Sequence, residues 1–524
     1  MFDLALNNQK GENGYAVFVP ALNRLTTNSV DDPKPSGNYP ASIAKPDDCN
    51  YLSGNGFYFY DWGLFSAGDY IGKPSKFQTD RKAGTQVICD SGGYQIIGWR
   101  KSWDVDYTQV NKSDSEAFAL RSLQWQQSVA DVAITLDVPT GCIGKEIKKG
   151  VVHPYKDFKT CLDATQFYHS VYSANHDPSK ATRFLNVLQG NSEQERDSWY
   201  DAVKGHQYCN GWSISFRAYE RKFYNVAQMI LRLHYDGVLG DHLHVLGTGS
   251  LRSALGLTLI QRAIRKQANP NFTITFDCST PVTLAKDGWI LGDLQFVRAT
   301  STEDELDDVN DDELKGFARK HRRAIGTVSC QSLVVPKVPV GELLTYKNWE
   351  EMPFPFMSSP IGFETTMDQI FQDKKANKKL GTIGYRMISL HNVFTFIKAI
   401  QQGNRLLDIF LRDPANANFQ LPLQYQHISE SLENVFSASN FEKGQAILAQ
   451  NKNIMQFMDV TKIWGQQDLA QVIKGREIQM ENQPMYDAMG LRDALAGKLD
   501  APDLETECLD EQELYYGAEY SADD

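Results

Sequence analysis

The chain has 524 residues, enough for one barrel of about 250–400 residues with an added region. Apolar residues make up 42% and charged residues 23%, which excludes collagen-like and wholly disordered classes. Net charge is −12, which at first argues against a nucleic-acid partner.

The distribution of that charge changes its meaning. The tail 501–524 holds nine acids and no Lys or Arg, and 303–313 (EDELDDVNDDE) holds eight acids and no base. Without these two segments the balance is positive, and basic clusters stand out at Lys145, Lys148 and Lys149, at 319–323 (RKHRR) and at 374–379 (KKANKK). Such clusters suit phosphate contacts, and equally suit solvated helix faces. The opening MFDLALNNQKGENG lacks a basic segment leading into an apolar core, and no apolar run approaches the ~20 residues that span a bilayer. A soluble cytoplasmic protein with no membrane partner is expected. The eight cysteines are scattered without any CxxC or CxC, so they read as small core residues.

In chain order, residues 1–85 are rich in Gly, Pro, Asn and Tyr and read as loops with short strands. A regular rhythm follows. Apolar, β-branched runs at 85–90, 132–137, 183–190, 211–215, 243–249 and 272–277 end abruptly in polar or glycine turns. Helical spacing fills the intervals, as in 115–130 and 250–267, the latter with Ser250 as N-cap. Alternation at this interval implies parallel βα units, either a (β/α)8 barrel or an open doubly wound sheet. After 330 a Pro-rich, strand-like stretch (331–370) precedes a long helix over 384–412 and further helices over 425–500, with an acidic, disordered tail from 501. The division expected is 1–330, 331–412, 413–500 and 501–524.

Polar residues fall at the strand ends. Asp90, Asp137, Gln189, Ser213, Ser215 and Asp277 each lie at or just beyond a predicted strand's C-terminal end, where a parallel barrel gathers its catalytic groups. Retaining displacement of a base at C1′ needs a carboxylate nucleophile and a second acid/base group near the leaving base. Asp277 and Asp90 could supply them, although either acid alone would also suit a helix cap. Gly92 and Gly93 after Asp90 would let the backbone approach a planar ligand. His242 and His244, spaced i, i+2, read as strand surface rather than a metal site.

Five segments occur in a telling order: DSGGYQ (90–95), LDVPTG (136–141), LQG (188–190), HVLGTGS (244–250) and FDCSTP (276–281). Together they resemble the tRNA-guanine transglycosylase superfamily, with LDVPT closer to its archaeal form and Asn191 standing where a second glycine is usual. SLHNVFTFIKAI (389–400) resembles the family's HN-containing helix. The resemblance implies a (β/α)8 fold with an additional helical C-terminal region, and a base-exchange glycosyltransferase. Asp277 would be the nucleophile and Asp90 the proton carrier, with Asp137 and Gln189 on the edge of the base. It further implies that Ser91, Gly92 and Gly190 line the base site, with a backbone position near Ser213–Ile214, and that Tyr94 either stacks on the base or sits in the core; GWSIS departs from the family's glycine-rich loop there.

One departure bears on the substrate. Members acting on tRNA carry a C-x-C-x2-C…H zinc site whose histidine comes from the HN helix, but here Cys330 is the only cysteine between 279 and 507. No metal or other cofactor is therefore expected, and His391 reads as a structural residue. The altered subdomain and long C-terminal region favour the DpdA-type DNA transglycosylases of phages and bacteria, which would place the protein in a host cytoplasm if phage-encoded. The expected partners are duplex DNA with its target guanine flipped out and a free 7-deazaguanine, preQ0 first, with homo-oligomers left open. A tRNA-guanine transglycosylase without the usual zinc and a non-catalytic family subunit are the alternatives.

Overall fold

A computed structural model describes residues 2–3, 14–31, 46–93, 96, 112–148, 150–298, 331–334, 337–339, 359–361, 365–370, 382–413 and 421–459. Eight strands form its centre: β1 Val17–Leu22, β2 Trp62–Ser66, β3 Gln86–Asp90, β4 Val132–Ile134, β5 Arg183–Leu188, β6 Cys209–Ser215, β7 His242–Leu246 and β8 Thr273–Cys278. Each pairs in parallel with its neighbours in chain order, and β8 closes on β1. This is the (β/α)8 barrel, not the open sheet that the rhythm alone also allowed.

The segment read as loops, 1–85, supplies the first two barrel strands. VFVPAL and WGLFS are buried on both faces and so show no alternation, and Pro20 and Gly63 further mask them. The other six strands lie where the polar strand ends placed them.

Parallel strands need crossovers, and helices supply six of the seven: α1 Arg24–Asp31, α2 Lys112–Val129, α3 Phe158–Asn175, α4 Glu193–Val203, α5 Phe223–Tyr235 and α6 Leu251–Gln267. Short helical turns at Ala67–Tyr70 and Lys76–Thr79 lie between β2 and β3, and α7 Thr280–Lys286 follows β8. Local chemistry sets where they start. Ser250 caps α6 by accepting from Ser253 N at 3.0 Å, Ser192 caps α4 through Glu195 N, and Asp157 and Thr160 form a capping box on α3.

Beyond the barrel, α8 Thr382–Arg412, α9 Gln424–Phe436 and α10 Phe441–Gln450 pack on the barrel's own helices, α8 and α9 against α6 and α10 against α5. Phe396 of α8 meets Phe18 of β1 edge-on at 4.9 Å, and one hydrophobic cluster runs from the barrel into these helices. Asp459 Oδ1 accepts from Phe223 N at 2.7 Å, which ties the end of this region to the start of α5. Among the described residues no helix is long and apolar enough to cross a membrane. The acidic run, the tail and the basic clusters at 319–323 and 374–379 lie outside the described residues.

Candidate active site

Strand alternation decides which side chains enter the barrel. On β8, Ile274 and Phe276 turn toward the helices, Phe276 packing on Phe18 at 5.6 Å, while Thr275 and Asp277 face the other way, toward His242 and His244 of β7. Asp277 is 8% exposed. Its Oδ1 accepts from Gly247 N at 3.0 Å and meets His244 Nε2 at 3.2 Å, whereas Oδ2 carries no hydrogen bond from the described residues.

The GTG segment after β7 is built around this carboxylate. Gly247 adopts φ +75°, which the turn toward Asp277 requires, and a Cβ on Gly249 would stand 2.1 Å from Cys278 Sγ. Gly249→Ala is therefore expected to destabilise the protein by about 1–3 kcal/mol through overpacking beside Asp277, measurable by urea unfolding.

Asp90 ends β3 and is partly exposed. Ser66 Oγ donates to its Oδ2 at 2.9 Å and Gly92 N more weakly at 3.4 Å. Burial of the carboxyl group raises its pKa and the charge of Asp277 adds to this, against the two hydrogen bonds and the nearby His244. The two acids thus come from strands on either side of β1 and β2 and sense each other across the barrel mouth.

Asp137, 4% exposed, extends beyond β4, and Gln189 Nε2 donates to its Oδ2 at 2.7 Å. Burial pushes its pKa up to about 7, with Asp90 adding to the rise and the Gln189 hydrogen bond opposing it. A carboxyl whose folded pKa lies above its unfolded value lends stability that is complete below the unfolded pKa and lost as pH rises through the folded one. Asp137→Asn removes that loss. The variant should gain on the wild type as pH rises from 5 to 7, ending about 1–3 kcal/mol more stable at pH 8 in urea unfolding.

The glycines of DSGGYQ answer to the protein itself. Gly92 takes φ +92°, and a Cβ on Gly93 would lie 2.6 Å from Asp137 Oδ1. The room expected for a planar ligand at Gly93 is taken by Asp137. Gly190 likewise has φ +124°, and a Cβ there would reach Arg196 N at 2.5 Å, so it seats α4. Tyr94 lies outside the described residues.

Three buried polar atoms on three different strand ends have no partner among the described residues: Ser91 Oγ, Gln189 Oε1 and Ser213 Oγ. Leaving such an atom without a partner costs about 1–3 kcal/mol, which a bound ligand or water would offset. The backbone at Ser213–Ile214 does not offer itself as expected, because both residues sit in the ladder between β5 and β7. The Ser213 hydroxyl is the available group, and Ile214 faces away from it.

No protein-family model matches the chain, and comparison with curated proteins finds no match. The site's own chemistry must carry its interpretation.

His391 sits in α8 with both ring nitrogens engaged, Nδ1 with Ser359 Oγ at 2.6 Å and Nε2 with the Leu291 carbonyl at 2.7 Å. Its neighbour Asn392 donates to the Pro281 and Trp289 carbonyls and accepts from Leu291 N. The HN pair therefore staples α8 to the segment after β8, and the described residues do not fit a zinc site at His391. Cys330 lies outside the described residues.

Sequence reasoning missed four residues of the site. Ser66 holds Asp90, while His242, Thr275 and His244 form a buried chain leading to Asp277. The two histidines, read as strand surface, are 3% and 0% exposed inside the barrel. Their polar–apolar alternation was the available signal, and it does not separate a solvated face from a polar barrel interior.

Proposed function

We propose that the protein is a base-exchange transglycosylase that replaces guanine in DNA with a 7-deazaguanine such as preQ0. The observation that carries this reading is the pairing of two unlike acids at the barrel mouth with buried polar atoms whose hydrogen bonds are unmet. Asp277 is fixed through one oxygen with the other open, and burial together with the charge of Asp277 raises the pKa of Asp90. Asp137 senses the charge of Asp90 and is held by Gln189, and Gln189 Oε1, Ser91 Oγ and Ser213 Oγ are without partners among the described residues.

Each group has a chemical task. Asp277 Oδ2 attacks C1′, the C1′–N9 bond breaks with its electron pair going to guanine, and the Asp90 carboxyl gives that base its proton. The incoming base then surrenders its N9 proton to Asp90 and attacks C1′, and the ester bond to Oδ2 breaks. Two inversions give net retention. Asp137 and Gln189 suit the edge of guanine, whose N1–H and 2-amino group need acceptors.

Two features favour DNA as the nucleic acid. His391 is engaged in packing rather than held for the zinc that the resemblance associates with tRNA-acting members. The loop after β6, on the same face as the acids, exposes Arg217 and Arg221, with Glu220 and Arg221 in left-handed conformations (φ 59° and 55°). Cations there suit a phosphate backbone, and a duplex must extrude its guanine to reach Asp277.

The test is incubation with labelled preQ0 and either guanine-containing duplex DNA or tRNA. Label entering DNA is the expected result. Label entering tRNA alone would replace DNA by tRNA as substrate, and label entering neither would end the reading.

A further inference from the structure

The mechanism above leaves unused the chain of three side chains behind Asp277. His242 Nε2 lies 2.8 Å from Thr275 Oγ1, that oxygen lies 2.8 Å from His244 Nδ1, and His244 Nε2 lies 3.2 Å from Asp277 Oδ1. His244 and Thr275 are both 0% exposed. A carboxylate can only accept, so the last link requires a proton on His244 Nε2. With one proton on each imidazole, Thr275 O–H then donates to His244 Nδ1 and accepts from His242 Nε2–H. Every link in the chain then has one donor and one acceptor; the acceptor-only carboxylate of Asp277 sets the direction, and the Thr275 hydroxyl proton supports that His244 tautomer.

We propose that His244 is a positioning residue whose Nε2–H, held in place by Thr275, promotes release of Asp277 from its glycosyl ester. The inference rests on the nucleophile reading of Asp277. In the first step Asp277 gives up its negative charge as the C1′–Oδ2 bond forms. In the second step the base nitrogen supplies an electron pair to C1′, the C1′–Oδ2 pair returns to the carboxylate, and the base proton goes to Asp90. Donors on Oδ1 meet a charge that grows only in the second step, so they assist breakdown of the ester more than its formation. Gly247 N–H supplies one such donor and His244 the other.

The consequence is kinetic and asymmetric. Losing the His244 donor should slow the second step, so that protein covalently joined to nucleic acid accumulates while the overall rate falls. Rapid-quench assays with guanine-containing DNA and labelled preQ0 would follow the adduct on denaturing gels for wild type, His244→Phe, His244→Gln, Thr275→Val and Thr275→Ser. Thr275→Val preserves shape in case His244→Phe fails to fold. For His244→Phe, kcat should fall by about 10²-fold with the adduct becoming the main enzyme form. Thr275→Val should shift both quantities the same way to a smaller extent. His244→Gln, which keeps an N–H near Nε2, and Thr275→Ser, which keeps the hydroxyl, should return toward wild type. Slower turnover without adduct, or a Thr275→Val enzyme matching Thr275→Ser, would overturn this inference while leaving the exchange reading intact. A wild-type protein that exchanges no base would overturn both.

Discussion

If Asp277 is the nucleophile proposed, Asp277→Asn is expected to lower the rate of base exchange by roughly 10⁴-fold or more, the loss typical when a covalent nucleophile is removed. The amide is nearly the size of the carboxylate and can still accept from Gly247 N through its oxygen, so the barrel end should stay folded. What it lacks is the charged oxygen that the proposed ester at C1′ requires. Stability measured by urea should therefore change little while exchange disappears. An Asp277→Asn variant that exchanged base at the wild-type rate would remove Asp277 from the mechanism.

Asp90→Asn should slow guanine exchange by about 10²–10⁴-fold, the range for loss of a general acid–base group. The leaving base offers a sharper signature. Guanine departs as an anion unless it is protonated, whereas 7-methylguanine already carries a positive charge and needs no proton. The first step on 7-methylguanine-containing DNA, read as release of that base or as adduct, should therefore survive Asp90→Asn far better than the same step on guanine. Equal losses on the two bases would mean that Asp90 serves only to shape the site. The raised pKa of Asp90 fits the task, because burial and the charge of Asp277 keep its proton in place above the usual carboxyl range.

Much of the barrel was legible because six of its strands stop abruptly in polar or glycine residues, a pattern that survives without an alignment. β1 and β2 were not. Both are sandwiched between the barrel interior and its helices, so they lack alternation, and Pro20 and Gly63 look like loop residues. The acids of the site were readable from their place at strand ends. What approaches a glycine was not: the sequence asks for room at Gly93 without saying that Asp137 fills it. The chain His242–Thr275–His244 was hidden for a related reason, since a polar residue at every second position describes a barrel interior as well as a wet surface. His391 could be placed in its helix from sequence, but its partners are Ser359, 32 positions away, and the Leu291 carbonyl, 100 positions away, and only the fold brings them together.

The unpartnered atoms were equally out of reach of sequence. Ser213 stands where the resemblance expects a glycine loop, and there a buried hydroxyl, rather than the backbone, is without a partner among the described residues. With Gln189 Oε1 and Ser91 Oγ it makes three unpartnered polar atoms from three strands, which under the proposed function would suit a heterocycle with donors and acceptors on its rim.

The central claim is that Asp277 becomes covalently joined to C1′ of the nucleotide whose base is exchanged. Acid-quenching the protein during turnover on guanine-containing DNA, followed by proteolysis and mass spectrometry, tests it most directly. The account predicts a base-free deoxyribose adduct on the peptide containing Asp277, absent from Asp277→Asn. Base exchange proceeding with no adduct, or with the adduct on another residue, would contradict it.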